Sequence, residues 1–510
     1  MTLASAAVEI GDRPATIDDV VRVADGAALA LTQAARDRIG AGRAVVDALV
    51  EGDELIYGLN TGLGHMRDAR MPLETLGQYQ EAIVAVHDGS FGEPLPTRVV
   101  RAAMAVRVIG IALGGSGASP AVADHLVVML EHGIHPIVPS IGSVGASDLT
   151  QLAAIAKVAL GTGRAEVDGD VVSGAEALAR AGLTPLVLRP KDGLAFISAN
   201  GVSVGWAALV AARARAIADL ADLVVAVSLE ATEGNLSIVD PVAAAAKPVP
   251  GQAIAADHIR AFLAGSVRCT GAARSVQDAL SFRVAPQVHG AYREFAGLFG
   301  DQVEIELSAM DDNPVVATAE GRMISNGNFH PIAMALAADA LRPAIAHVGQ
   351  LSDRRMNHLW PLLLAGAETA TPAAMIESAS HGGALLRYAA ATRAAELREL
   401  AGPVTLDIAP LDLGVEDHST NAVTAVRRTD EALDRLEDVL AVELTMAWQL
   451  LARTPDPGAT GVGTAAAIDA LDAAFPASRS RTPSDAFHAG VKAALHDRVL
   501  AAALAATGPG

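Results

Sequence analysis

The chain has 510 residues, with 58 acidic against 38 basic side chains and a formal net charge of −20, a balance that argues against nucleic acid or an anionic membrane surface as the main partner. Hydrophobic residues make up 51% but aromatics only 3%, so the core is built from Ala, Leu, Val and Ile, which suit closely packed helices better than a sandwich or barrel. The one cysteine, Cys269, leaves no internal disulfide framework and reads as a small buried apolar filler.

Length alone allows about three or four domains. Met1 to Asp19 carries Glu9, Asp12 and Asp18 and lacks a basic stretch followed by an apolar run, so no signal peptide is expected. Turn clusters then separate short helical segments over residues 1–200. The first, Tyr57-Gly58-Leu59-Asn60-Thr61-Gly62-Leu63-Gly64, holds a tyrosine in a glycine-flanked loop, where it is either packing or, with a lowered pKa, a base. His87 follows the apolar run Ala82 to Val86 and is either a satisfied core histidine or a contact to substrate. Gly114-Gly115-Ser116-Gly117 marks another turn. Gly142-Ser143-Val144-Gly145-Ala146-Ser147-Asp148-Leu149 packs small residues tightly enough for close backbone approach. Read alone, it is a turn into a helix with Ser147 or Asp148 as N-cap.

From Trp206 to Ala231 apolar residues fall on nearly all sides, as in a helix enclosed by others. Arg213, Arg215 and Asp219 interrupt that run, and with charges breaking the other long stretches no membrane span is expected. A soluble, cytoplasmic protein is the expectation. Val276 to Arg283 reads as a helix with Gln277 and Arg283 on one side, Arg283 being suited to a bidentate carboxylate pair. Ser325-Asn326-Gly327-Asn328-Phe329-His330 sets two amides and an aromatic in a tight loop able to grip a carboxylate or a ring.

Met334 to Leu400 is again apolar all round, broken at Pro343, Pro361 and Pro372, where the missing amide hydrogen should kink or end a helix. Glu416-Asp417-His418 closes a loop before a long amphipathic helix between Asn421 and Arg453; the acidic pair also favours that helix start. Thr454 to Thr482, with Ser478-Arg479-Ser480-Arg481, reads as a tail or lid. The fold class expected is all-α: a loop-rich, mainly helical N-terminal region at 1–200, a long-helix bundle at 201–454, and a tail with a terminal helix at 455–510. Phosphate-loop and dinucleotide signatures are missing, so no nucleotide is expected. His132 and His135 lack further ligands, so no metal is expected either.

Taken together, these stretches resemble the histidine and phenylalanine ammonia-lyases, the aromatic amino acid lyase family, from about residue 15 to 455. The matches come in the family's order: Tyr57 to Gly62; His87 with Gly92-Glu93-Pro94-Leu95; Gly142 to Ser147; Val276-Gln277-Asp278; Arg283 with Ala285-Pro286-Gln287-Val288-His289-Gly290; Asp312-Asn313-Pro314; Asn328-Phe329-His330; and Glu416-Asp417-His418. The resemblance implies an all-α homotetramer with active sites shared between subunits. It implies an electrophile, methylidene-imidazolone, made from an Ala-Ser-Gly tripeptide by backbone cyclisation and loss of water, here matched by Ala146, Ser147 and Asp148. It also implies Tyr57 as the base that removes the β-proton, Arg283 as the carboxylate grip, His87 as a substrate-recognising histidine, Glu416 facing ring or amine, and Phe329 lining the ring.

Three departures gather around the electrophile. Asp148 stands where the family has Gly, whose amide is the cyclising nucleophile; the Asp-Leu that follows matches, so one residue is missing. Leu280 replaces the family's second tyrosine. After Gly193-Leu194-Ala195, either Ser198 replaces the family's asparagine or two residues precede it at Asn200. The function expected is ammonia loss from a histidine-like or aromatic amino acid. The alternatives are another elimination, a cyclisation or an aminomutase-like isomerisation without the electrophile, and last a non-catalytic binding protein. The partner expected is a small amino acid or related carboxylate.

Overall fold

The computed structural model describes residues 6–269, 274–365, 383–406, 408–453, 460–476 and 485–508; Pro372 and the Ser478–Arg481 stretch lie outside them. The fold is all-α, with short two- and three-stranded ribbons as its only sheets among the described residues. The chain divides into two compact units, discontinuous in sequence: Met1–Ala212 with Phe299–Ala338 and Pro403–Arg427, and Arg213–Leu298 with Asp339–Gly402 and Arg428–Gly510.

The first unit is short helices tied by loops. Its first helix, Ile17–Ala24, starts in a reciprocal cap: the Thr16 side chain accepts from the Asp19 amide while the Asp19 carboxylate takes the Thr16 amide. Helix Thr97–Ala112 is buried along nearly its whole length, which its Val, Ile, Ala and Met content allows. Gly205 lets the next long segment approach it closely, since a Cβ there would lie 2.7 Å from the backbone of Ala102. The small ribbons are Val8–Ile10 with Leu29–Leu31, Phe91–Pro94 with Pro139–Ile141, His135–Pro136 with Arg164–Val167 and Asp170–Ser173, and Val315–Ala317 with Arg322–Ile324.

The second unit is built from long helices pinned by buried charge. Arg355 and Glu443 are both wholly buried and pair through two bonds of 2.6 and 2.9 Å, and Ser228 adds a third donor to the same carboxylate at 2.6 Å. His289 meets Asp222 at 2.7 Å, and the Tyr292 hydroxyl donates to the Ala214 carbonyl at 2.8 Å. Within the 455–510 region, helices Val462–Ala474, Asp485–Ala494 and Ala501–Thr507 belong to this unit. The Gly461 amide ahead of the first of them donates to Glu230 at 2.7 Å. Burial pushes the Cys269 thiol up to about 12, as an inert filler requires.

Helices Gly201–Thr232 and Ala422–Arg453 fall where the apolar periodicity places them. Two expectations need correction. Pro343 and Pro361 do not end a helix; both lie inside Ile332–Leu364. Tertiary bonds hold that helix together: buried Arg342 donates to the Leu400 and Gly402 carbonyls, each at 2.7 Å, and Arg355 grips Glu443. Nor do Gln277 and Arg283 share a helix, because it spans only Leu280–Arg283. Ahead of it the Ser275 hydroxyl donates to the Gln277 carbonyl at 3.0 Å, a local bond that competes with helix formation. Two stretches, Asp192–Thr232 and Ile332–Leu364, are long and apolar enough to cross a membrane by length and composition, but the apolar window of the first is 100% buried inside the protein.

Candidate active site

A cavity of about 900 Å³ opens in the first unit. One wall is the glycine-rich loop after Ile56. Its shape is set by side chains serving as turn partners: Asn60 accepts the Ile56 amide at 2.8 Å and donates to the Glu54 carbonyl at 2.8 Å. The loop brings Tyr57 to the cavity, where its hydroxyl accepts the Gly64 amide at 3.3 Å. Gly64, at φ +54, has no room for a side chain, because a Cβ would run into the Asp412 carboxylate. Asp412 in turn holds His65, taking its amide at 2.9 Å and meeting its Nδ1 at 2.6 Å. The tyrosine loop and the Leu411–Glu416 loop therefore clasp each other.

His87 ends helix Leu76–Val86, and its Nδ1 meets the Ile83 carbonyl at 2.7 Å. That bond makes Nδ1 the donor and leaves Nε2 as an acceptor. Glu416 lines the cavity from a two-residue bridge with Leu411. Burial raises its carboxyl above the usual range, Asp412 adds to this and His87 offsets part. Burial likewise pushes the Tyr57 phenol up; the Gly64 amide pulls it back in part, and the carboxylates of Glu416 and Asp412 push it further. Arg67 also pulls it down, but burial and the two carboxylates prevail, so the lowered pKa expected of a base is not supplied by these neighbours.

Ala146, Ser147, Ser143 and Phe329 complete the wall, with Ser198 beside them. The Ser147 amide donates to the Phe329 carbonyl at 3.1 Å, which ties the two loops. Asp148 is placed differently from its neighbours. It occupies the N-cap position of helix Leu149–Ala159 yet makes no side-chain bond to that helix. Its carboxylate instead accepts from the amide and hydroxyl of Ser203, at 2.7 and 2.9 Å, so it caps the start of a helix distant in sequence, Gly201–Thr232.

Of the residues singled out in the sequence, Tyr57, His87, Ala146, Ser147, Phe329 and Glu416 line one cavity. Asp148 lies behind it. Asn200 is wholly buried, with its backbone amide on Asp311 at 2.6 Å and its side-chain amide unpaired among the described residues. Asn328 is exposed, its backbone amide donating to the Asn326 side chain at 2.8 Å and its side-chain amide to the Met310 carbonyl at 3.5 Å. Gln277, exposed, and Arg283, half-buried, belong to the second unit and are not among the lining residues. Among the described lining residues the guanidinium is that of Arg67. Tyr79, His65, Arg67 and Asp412 line the cavity without having been singled out; they sit in no Gly-rich or paired pattern that would have marked them. A metal-type grouping of Asp219, Asp222 and His258 exists in the second unit. The Arg293 guanidinium already holds both carboxylates there, at 2.8 and 2.5 Å, and fills the place of a cation.

Residues 15–473 match the family model described as aromatic amino acid lyase. The chain belongs to the aromatic amino acid lyase family. A histidine ammonia-lyase of Gloeobacter violaceus is 37% identical over 474 residues, 90% of each chain. Among solved structures, the histidine ammonia-lyase of Trypanosoma cruzi superposes with a TM-score of 0.88 at 26% identity, over 98% of this chain and 95% of that one. A tyrosine aminomutase of Streptomyces globisporus does so with 0.89 at 26% identity, over 98% of both. Members of the family act on amino acids and build their electrophile from their own backbone, without an external cofactor. For this lyase the cavity walls come from segments far apart in sequence, and those segments carry the family motifs.

Proposed function

We propose that the lyase catalyses an ammonia-lyase-type elimination on a histidine-like or aromatic amino acid. The single observation that carries this reading is the convergence of Tyr57, His87, Phe329 and Glu416 on one cavity. Phe329 offers an aromatic surface to a ring, and the acceptor nitrogen of His87 suits a ring N–H. Tyr57, as phenolate, takes the β-proton. The C–H electron pair becomes the new C=C bond, and the C–N pair leaves with the nitrogen of the substrate's ammonium, so charge and atoms balance. Glu416 faces that ammonium and favours its cationic form.

The guanidinium on the described cavity wall, that of Arg67, lowers the Tyr57 phenol too little to offset burial and the carboxylates. The carboxylate grip and a stronger cation beside Tyr57 we assign to Arg283 of the partner subunit in a homotetramer. Exposed apolar side chains, Phe295 and Leu298 on Ala285–Leu307 and Leu385 and Tyr388 on Gly383–Leu400, support association. A monodisperse monomer in light scattering would remove that part of the reading. We place the enzyme in the cytoplasm, where an unpaired, buried Cys269 is at home.

Methylidene-imidazolone would be held in the backbone of Ala146, Ser147 and Asp148 and would supply an electron sink to the substrate. The residues present do not suit it, because the Asp148 amide that would close the ring is bonded to the Ala199 carbonyl at 2.8 Å. No step above is routed through it. This observation favours the second reading, in which the same base and grip serve an elimination, cyclisation or isomerisation without the electrophile. The experiment is to offer histidine, phenylalanine and tyrosine and follow both ammonia release and the conjugated product. Ammonia with an unsaturated acid supports the lyase reading, a β-amino acid without ammonia supports isomerisation, and no reaction with any of the three sinks the proposed substrate class.

A further inference from the structure

Three sets of bonds fix the form of Ala146-Ser147-Asp148. The Asp148 amide donates to the Ala199 carbonyl at 2.8 Å, while the Asp148 carbonyl receives the Leu152 amide at 2.9 Å as the first turn of helix Leu149–Ala159. The Asp148 side chain, wholly buried, accepts from the Ser143 hydroxyl at 2.8 Å and from the Ser203 amide and hydroxyl at 2.7 and 2.9 Å. Ser147 sits in the left-handed region at φ +60, with its amide on the Phe329 carbonyl at 3.1 Å.

We infer that this tripeptide stays uncyclised and that Ser147 meets the substrate as a hydroxyl, so that the substrate is held by non-covalent contacts alone. Cyclisation would join the Asp148 nitrogen to the Ala146 carbonyl carbon and expel that carbonyl oxygen as one water. It would then remove the Ser147 hydroxyl with its α-hydrogen as a second. The nitrogen that must attack is anchored on both sides. Its own carbonyl opens a helix, and its side chain ties that helix start to Ser203 on helix Gly201–Thr232 and to Ser143 on the preceding loop. Turning the amide inward would unwind the first turn and strip a buried carboxylate of its donors, and an ionised carboxylate without donors is strongly disfavoured in the interior. With one more residue between Ser147 and Asp148, the helix start and the carboxylate anchor could both stay in place while the added amide attacked. This chain lacks that residue.

Ser147 and Ser198 instead both line one cavity, and serine hydroxyls are hydrogen-bonding groups that suit a substrate's polar atoms. The inference rests on family membership and on this loop, not on the reaction proposed above. A chain of unmodified mass that released no ammonia would defeat that reaction and leave the inference standing.

The test is intact mass spectrometry of the full denatured chain beside Ser147→Ala, a variant in which the group cannot form. Both masses should match their sequences and differ only by the oxygen that the substitution removes. A parent chain lighter than its sequence by one or two waters, with the variant at full mass, overturns the inference. Near-ultraviolet difference spectra of the two denatured chains give a second reading. They should superimpose, and an absorbance band present in the parent alone overturns it as well.

Discussion

In the second unit Glu437 is buried, which by itself would raise its carboxyl, yet bonds from His496 and Arg213 outweigh burial and hold it down to about 2. In the first unit burial pushes Asp311 up to about 7, with Asp312 adding to the effect, and it pushes Glu306 to about 7 as well. The difference lies in how directly a cation is bonded: Arg213 donates to Glu437 at 2.7 Å, whereas Arg107 stands 4.0 Å from Asp311, pulls it back only in part and is itself paired with Asp312 at 2.9 Å. Arg213, Arg293, Arg342 and Arg355 are spent on the carboxylates and carbonyls that join long helices. Around the cavity, Tyr57, Asp148 and Glu416 are all shifted toward their protonated forms, with burial the largest cause for each. Neutralised charge holds a scaffold, and groups displaced from their ordinary pKa mark where protons are moved.

The largest effect expected from breaking this contrast is in the scaffold. Arg355→Ala leaves Glu443 charged and unpaired in a wholly buried place, and loss of one partner of such a pair costs about 3–5 kcal/mol. Urea unfolding of the variant measures it; a change within experimental error would mean that the pair contributes nothing to stability.

Next in size is the base. Tyr57→Phe keeps the ring and deletes the hydroxyl, so turnover should fall by about 100-fold or more, the usual worth of a general base, while thermal unfolding barely moves. Normal turnover would make Tyr57 a packing residue. Arg283→Lys should weaken binding of a carboxylate ligand by about 2 kcal/mol, since the ammonium keeps the charge and loses the fork. Unchanged affinity in isothermal titration would remove the arginine from the site.

How much of this the chain reveals unaided depends on range. The helix from Ala422 to Arg453 is legible because its apolar stripe repeats over many turns. Whether Pro343 and Pro361 kink or end a helix is not legible in the sequence, since the bonds that accompany the continuous helix Ile332–Leu364 join Arg342 to Leu400 and Gly402, residues distant in sequence. At the site, Tyr57, His87, Ser147, Phe329 and Glu416 stand in short, recognisable motifs, and the fold brings them to one cavity. Asp412 was invisible: its role in clasping His65 and crowding Gly64 exists only once two loops meet. Between Ser198 and Asn200 the sequence leaves the family's asparagine position open; Ser198 lines the cavity, while Asn200 is wholly buried with its backbone amide on Asp311.

The smallest effect sharpens the comparison between the units through pH. A carboxyl whose folded pKa is raised gives stability that is fully present below the unfolded value, about 4, and is lost as pH rises through the folded value. For Asp311 that value is about 7. Glu437 runs the opposite way: its contribution is present above about 4.5 and is lost as pH falls through about 2. Between pH 6 and pH 8 only the first kind is active, so the parent chain should lose about 1 kcal/mol per raised carboxyl across that interval. Asp311→Asn preserves an oxygen to accept the Asn200 amide and cannot ionise, so its urea midpoint should fall less from pH 6 to pH 8 than the parent's. Parallel losses in the two proteins would show that Asp311 does not change charge between pH 6 and pH 8, and of the two carboxyls pushed to about 7 only Glu306 would then carry the pH-dependent loss.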